Sequence, residues 1–314
     1  MTETTDTSFL VPELFSSARE TIAPHVVVTP VTRIGARGGL HLKLECLQVS
    51  GSFKARGALN KVLSLAEEDL RRGIVTASGG NHGLAVAYAG SVLRVSTVVY
   101  LPRRTPDAKA KRIEAWGARV VRAGDVWDDA HAAALEHAAR ETQTYIHPFA
   151  DPAVIAGQGT IALEAFEQIP EVDLFVVAIG GGGLVAGVAA AAKLLRPSTR
   201  IIGVEPVGAP TLRESLRAGE VIELASIETA AGTLAPRRSD PLNFAIIRET
   251  VDDIVLVSDE EMKSAARFLL AELGIGAELS GAAALAAMLS GKADLGGAKR
   301  PCVLVCGAGS DGLG

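Results

Sequence analysis

From residue 40 onward, short β-branched runs that are apolar on both faces alternate with helical patterns, and this alternation leaves few folds open. The strand candidates are LHLKLE (40–45), GIVTA (73–77), STVVYL (96–101), ARVVRA (118–123), TYIH (144–147), LFVVAI (174–179), RIIGVE (200–205), DIVLV (253–257) and CVLV (302–305). Helical stretches lie between them, such as NHGLAVAYAGSVL (81–93) and DPAVIAGQGTIALEAFEQI (151–169). Ser258, with Glu261 three residues on, makes a capping box that starts another helix. Such alternation predicts parallel α/β sheets joined by right-handed crossovers. No repeat, low-complexity tract or linker divides the chain, so a second domain is expected as an insertion: residues 1–70 and 151–314 form a large domain and 71–150 a small one.

Composition narrows the function classes. The net charge of -5, with acids and bases interspersed, argues against a nucleic-acid partner. The densest basic run, PRRTPDAKAKR (102–112), reads as the solvated face of a helix starting near Pro106. The three cysteines, Cys46, Cys302 and Cys306, form no CxxC pair, as suits a reducing cytosol, and no HExxH zinc pattern is present. The polar, acidic start MTETTDTSFLVPE is unlike a signal peptide, so a cytoplasmic location is expected. Leu174–Ala192 is 19 residues without a charge, long enough in principle to cross a bilayer. Four consecutive glycines interrupt it, and Asp173 and Lys193 bracket it, so it reads as a strand, a turn and a buried helix, with no membrane contact.

Three glycine turns each follow a strand: Ser78-Gly79-Gly80-Asn81-His82-Gly83, Gly180-Gly181-Gly182-Gly183, and Cys306-Gly307-Ala308-Gly309-Ser310. A glycine turn that enters a helix offers free N–H groups and the positive end of the helix dipole, a natural phosphate cradle. Gly181-x-Gly183-x-x-Ala186, with Glu205 at the end of the next strand, also satisfies a dinucleotide pattern, which keeps an NAD-dependent oxidoreductase open. That reading leaves SGSFKARGA (50–58) without a role. There Ser52 reads as an N-cap and Lys54 falls in a helical first turn, which on these residues alone suits a surface lysine, or else an amine whose pKa the dipole and Arg56 depress, making it a Schiff-base nucleophile.

Taken together, LKLECLQVSGSFKARGA, SGGNHGLAVAYA, HPFADPAVIAGQGTIALE, GGGGLVAG, IIGVEP, AELSGAAALAA and CGAGSDG resemble the threonine dehydratase and serine racemase family, in family order and over most of the chain. The resemblance implies the fold type II architecture of pyridoxal-phosphate enzymes (tryptophan synthase β-like), here as a catalytic core without a regulatory module. It implies pyridoxal 5'-phosphate as cofactor and Lys54 as the lysine that binds it. Phe53 would flank the ring, Asn81 would meet its 3-hydroxyl, Gly180, Gly181, Gly182 and Gly183 would cradle the phosphate, and Cys306 would face the pyridine nitrogen. Ser78, Gly79, Asn81 and His82 would lie on the loop that receives the substrate carboxylate. The implied reaction is dehydration and deamination of a 3-hydroxy amino acid such as L-threonine or L-serine, with serine racemisation and 3-hydroxyaspartate dehydration as alternatives. A homodimer or larger homo-oligomer is expected, with a small amino acid as its partner.

Two positions depart from the racemases. Gly79 stands where they carry a serine on the cofactor face opposite the lysine. Relatives also bind a divalent cation through the glutamate of GVEP and an acid six residues later. Glu205 is present here, but Thr211 replaces that acid, so Glu205 is the one candidate ligand and no metal is expected.

Overall fold

The computed structural model describes residues 5–35 and 39–312. In chain order its strands are β1 (Val31–Ile34), β2 (Leu40–Lys43), β3 (Ile74–Ala77), β4 (Thr97–Leu101), β5 (Arg119–Arg122), β6 (Thr144–Tyr145), β7 (Leu174–Ala178), β8 (Arg200–Pro206), β9 (Asp253–Val257) and β10 (Pro301–Leu304). They form a six-stranded sheet, β1-β2-β10-β7-β8-β9, and a four-stranded sheet, β5-β4-β3-β6. Every pairing is parallel except β1 with β2. All nine anticipated strands are present. The unforeseen one, β1, is an antiparallel edge strand whose sequence VTRI is apolar only at its two ends, so it shows no apolar run to mark it.

The uncharged segment after Asp173 resolves into β7, a turn and the helix Gly183–Leu195. This helix packs against Pro152–Gln168 through Gly159 and Gly187, where a side chain at 159 would meet the Gly187 carbonyl at 2.8 Å. Among the described residues no helix is long and apolar enough to cross a membrane. The C-terminal ends of β3, β7 and β10 lead into the three glycine turns, as expected for ligand sites in parallel sheets.

Beneath the helix Lys54–Leu63 lies a buried ionic cluster. Arg56 donates through Nε and Nη2 to Glu45, both at 2.8 Å, and through Nη1 and Nη2 to Glu164 at 2.7 and 2.8 Å. Lys43 reaches Glu164 at 2.7 Å, and all four side chains are buried. Burial opposes the charge of Arg56, but Glu45 and Glu164 outweigh it and hold the guanidinium above its ordinary pKa. Breaking such a cluster from one side leaves uncompensated buried charge. Arg56→Met is therefore expected to cost about 3–5 kcal/mol in urea unfolding, and a loss below about 1 kcal/mol would mean that the carboxylates find water or protons instead.

Candidate active site

Lys54 opens the helix Lys54–Leu63. Ser52 is not its N-cap: its backbone is extended (φ -162°, ψ 162°), it pairs with Gly307 across a bridge, and Phe53 precedes the helix instead. The Lys54 side chain runs inward until Nζ donates to the Pro148 carbonyl at 2.6 Å, 5.1 Å from the centroid of the Phe53 ring. Burial pushes its pKa down to about 8, while Cys306 and Glu278 act the other way. Arg56 is not the cause that the sequence suggests, because its guanidinium is spent on Glu45 and Glu164. Desolvation of the ammonium does the work.

Facing this amine is the turn after β10. Phe53 N donates to the Cys306 carbonyl and Glu278 N to the Gly307 carbonyl, both at 3.1 Å. Cys306 is buried, its Sγ 3.5 Å from the Ser280 carbonyl, and burial raises its thiol well above the ordinary range, so it stays neutral. Glu278 receives the Asn81 amide at 2.7 Å and the Thr233 hydroxyl at 3.5 Å, and Thr233 also bonds Ser280. Glu278 and Thr233 are missing from the sequence-derived site. AELSG marks Glu278 only as a family landmark, and nothing local reveals a partner 197 residues away.

Burial lifts the Glu278 carboxyl to about 7, against the opposing pull of the Asn81 bond. The folded chain thus keeps a proton that the unfolded chain surrenders near 4.5, and stability falls as pH rises from about 4.5 to about 7. Glu278→Gln removes that slope while keeping an acceptor for Asn81. Relative to the parent, the variant is expected to gain on the order of 2–3 kcal/mol between pH 4.5 and pH 8 in urea unfolding. Identical pH profiles for variant and parent would rule the shift out.

The turn after β3 forms the third wall. Ser78 Oγ accepts from Gly80 N at 3.2 Å, and the Trp127 indole donates to the Ala77 carbonyl at 3.0 Å. Asn81 begins the helix Asn81–Leu93, whose first N–H groups have no helical partner. Gly79 faces Thr105 of the following loop. His82 departs from the expected arrangement: its ring is buried, Nε2 lies 3.0 Å from the Ile146 carbonyl, and burial together with Lys54 drives its pKa down to about 3. It is committed to the end of the small sheet, not to the turn.

The glycine loop completes the enclosure. Gly182 sits at φ +91°, and a side chain at 183 would come 2.6 Å from the Phe149 carbonyl, while one at 181 would strike the Phe149 ring. Packing alone therefore requires glycine here. The loop enters the helix Gly183–Leu195, leaving unpaired N–H groups at its start. Ser52 Oγ, near Lys54, is buried without a partner, an unused polar atom that a bound group can satisfy. A partly buried amine of lowered pKa, a neutral thiol, a helix-start loop and an orphaned hydroxyl suit a phosphate-bearing carbonyl cofactor. Glu205 is fully buried; it accepts from Leu212 N and Arg213 N at 2.8 and 2.9 Å and so caps the helix Thr211–Ala218. Among the described residues no group of three or more His, Cys, Asp or Glu side chains is placed to hold a metal ion.

Comparison with known proteins agrees with this geometry. The profile of the pyridoxal-phosphate dependent enzymes matches residues 22–307. An L-threonine ammonia-lyase of Thermotoga maritima is 39% identical over 87% of this chain and 68% of its own length. A serine racemase of Arabidopsis thaliana is 40% identical over 87% of this chain and 84% of its own. The solved structure of maize serine racemase superposes with a TM-score of 0.91 at 34% identity, covering 95% of this chain and 93% of that one. With the profile spanning nearly the whole chain and relatives near 40% identity, the protein belongs to the pyridoxal-phosphate dependent enzymes.

Proposed function

We propose that the chain catalyses elimination of the β-hydroxyl from a 3-hydroxy amino acid, L-threonine or L-serine, yielding a 2-oxo acid and ammonium. The observation that carries this reading is the partly buried Lys54 amine, its pKa near 8, held on the Pro148 carbonyl beside the Cys306 turn. Phe53, Lys54, Asn81, the four glycines and Cys306 hold the cofactor, and pyridoxal phosphate, when bound, supplies the electron sink that makes a Cα–H bond acidic. Ser78, Gly79, Asn81 and the free N–H groups at the start of Asn81–Leu93 receive the substrate carboxylate. Residues 71–150 act as the smaller domain, which closes on the bound substrate and excludes water.

Lys54 Nζ, substantially neutral near pH 8, takes the Cα proton. The β-hydroxyl then leaves with a proton as water, and hydrolysis of the released enamine consumes one water. The net change converts threonine to 2-oxobutanoate and ammonium, or serine to pyruvate and ammonium, with no oxidant required. Cys306 contributes by staying neutral, since a buried thiol offers no charge to a pyridine nitrogen. Cys306→Ser is accordingly expected to keep elimination within a few-fold. Cys306→Asp should slow it and divert product toward transamination; equal elimination rates for the Asp variant and the parent would remove Cys306 from this role. The test of the function itself is 2-oxo acid and ammonia release from L-threonine, L-serine and 3-hydroxyaspartate by protein supplied with pyridoxal phosphate. Absence of both products from all three amino acids would overturn it.

A further inference from the structure

The glycine loop is held from behind by two side chains outside every motif singled out above. Asn243, in the first turn of the helix Pro241–Thr250, is fully buried. Its Nδ2 donates to the Gly181 carbonyl at 2.7 Å and to the Phe149 carbonyl at 3.3 Å. Ser239 Oγ donates to the same Gly181 carbonyl at 3.1 Å. The Asn243 Oδ1 is buried without a partner. A buried amide with its acceptor unused is costly, and an apolar residue of that shape would avoid the cost, so the position must be needed for its two donors.

We infer that Asn243, assisted by Ser239, is a positioning residue for the cofactor phosphate. By fixing the Gly181 carbonyl against the 239–243 segment, the pair orients the peptide that joins Gly181 to Gly182. The N–H groups leading into the helix Gly183–Leu195 are then left for an anion. The second arm of the amide ties the loop to Phe149, the residue after Pro148, whose carbonyl holds the Lys54 amine. One buried amide thus ties the phosphate cradle to the Phe149 carbonyl. The close fit of this segment agrees: a side chain at Gly182 would come 3.2 Å from Asn243 Cβ. The inference rests on the assignment of the 180–183 loop to the phosphate.

The test compares binding of pyridoxal phosphate with that of pyridoxal, which carries the same ring and aldehyde but no phosphate, followed by absorbance and by protection against thermal unfolding. Asn243→Leu deletes both donors at nearly constant volume. It should weaken pyridoxal phosphate by about thirtyfold, two ordinary hydrogen bonds, and leave pyridoxal within about twofold. Ser239→Ala should weaken pyridoxal phosphate by only about threefold to fivefold, again without touching pyridoxal. This variant keeps the test open if Asn243→Leu fails to fold. Equal losses for both compounds would show that Asn243 merely supports the fold, and wild-type affinity in both variants would remove the pair from any role. Failure of the parent protein to bind pyridoxal phosphate at all would instead overturn the assignment of the loop on which the inference rests.

Discussion

Lys54→Ala is expected to keep the fold and to abolish both the visible absorbance of bound pyridoxal phosphate and ammonia release, the latter by roughly ten-thousandfold or more. The expectation follows from how the amine is held. Among the described residues its one hydrogen-bond partner is the Pro148 carbonyl, and burial lowers its pKa from 10.5 to about 8. The unfolded chain therefore holds the Lys54 proton more tightly than the folded one does. Stability rises as pH rises through the window from about 8 to about 10.5, and the charge penalises folding below it. Removing the side chain removes that penalty, and the cavity left behind takes back part of the gain, so unfolding at pH 7 should change little. The same variant should lose the rise in stability between pH 8 and pH 10.5. Lys54→Arg offers no rescue, because a guanidinium does not give up its proton in this range. Ammonia release above about one per cent of the parent rate would remove Lys54 from its role.

Much of this architecture is legible in the sequence because parallel strands and their crossover helices carry their burial in consecutive residues. LFVVA of β7 is buried at every position and reads as a strand without help. Ser258 and Glu261 cap the helix Asp259–Leu273 with bonds that span three residues, so the local pattern suffices. The proposed site draws its sequence signal from turns, at Lys54, Asn81 and the four glycines, where the residues stand close together in the chain. It is not legible where a side chain acts through a distant partner. Glu278, Asn243 and Ser239 sit in ordinary helix starts and loops, and only the folded chain brings them to Asn81 and to the Gly181 carbonyl. Arg56 shows the opposite error: proximity in sequence to Lys54 suggested an electrostatic effect, but helical geometry turns its side chain into the carboxylates behind the helix. His82 and Asn81, expected on one turn, part for a similar reason: the Asn81 amide reaches Glu278 while the His82 ring is committed to Ile146.

L-Serine is expected to give pyruvate without detectable D-serine, and the reason lies in what stands over Gly79. Racemisation requires a proton to reach Cα on the face opposite the one that lost it, and Lys54 serves only one face. The racemases that this chain resembles carry a serine at the position of Gly79. Here the backbone at 79 lies outside the left-handed region, so a side chain is not forbidden by conformation. Space resists it instead: a Cβ would stand 2.9 Å from Thr105 Cγ2 and 3.2 Å from Thr105 Oγ1, so the Thr105 side chain must shift to admit one. Gly79→Ser alone should therefore crowd the turn, weaken substrate binding and yield little or no D-serine. Adding Thr105→Ala removes both clashing atoms and leaves Thr105 Cβ at 3.7 Å, an ordinary contact. The double variant should form D-serine from L-serine while still releasing pyruvate. Chiral chromatography of serine after incubation with the L-isomer reads both outcomes. D-Serine from the parent enzyme would mean that another group delivers the second proton. If that activity vanished in Thr105→Ala alone, the Thr105 hydroxyl would be the donor, reaching across the space that Gly79 leaves free.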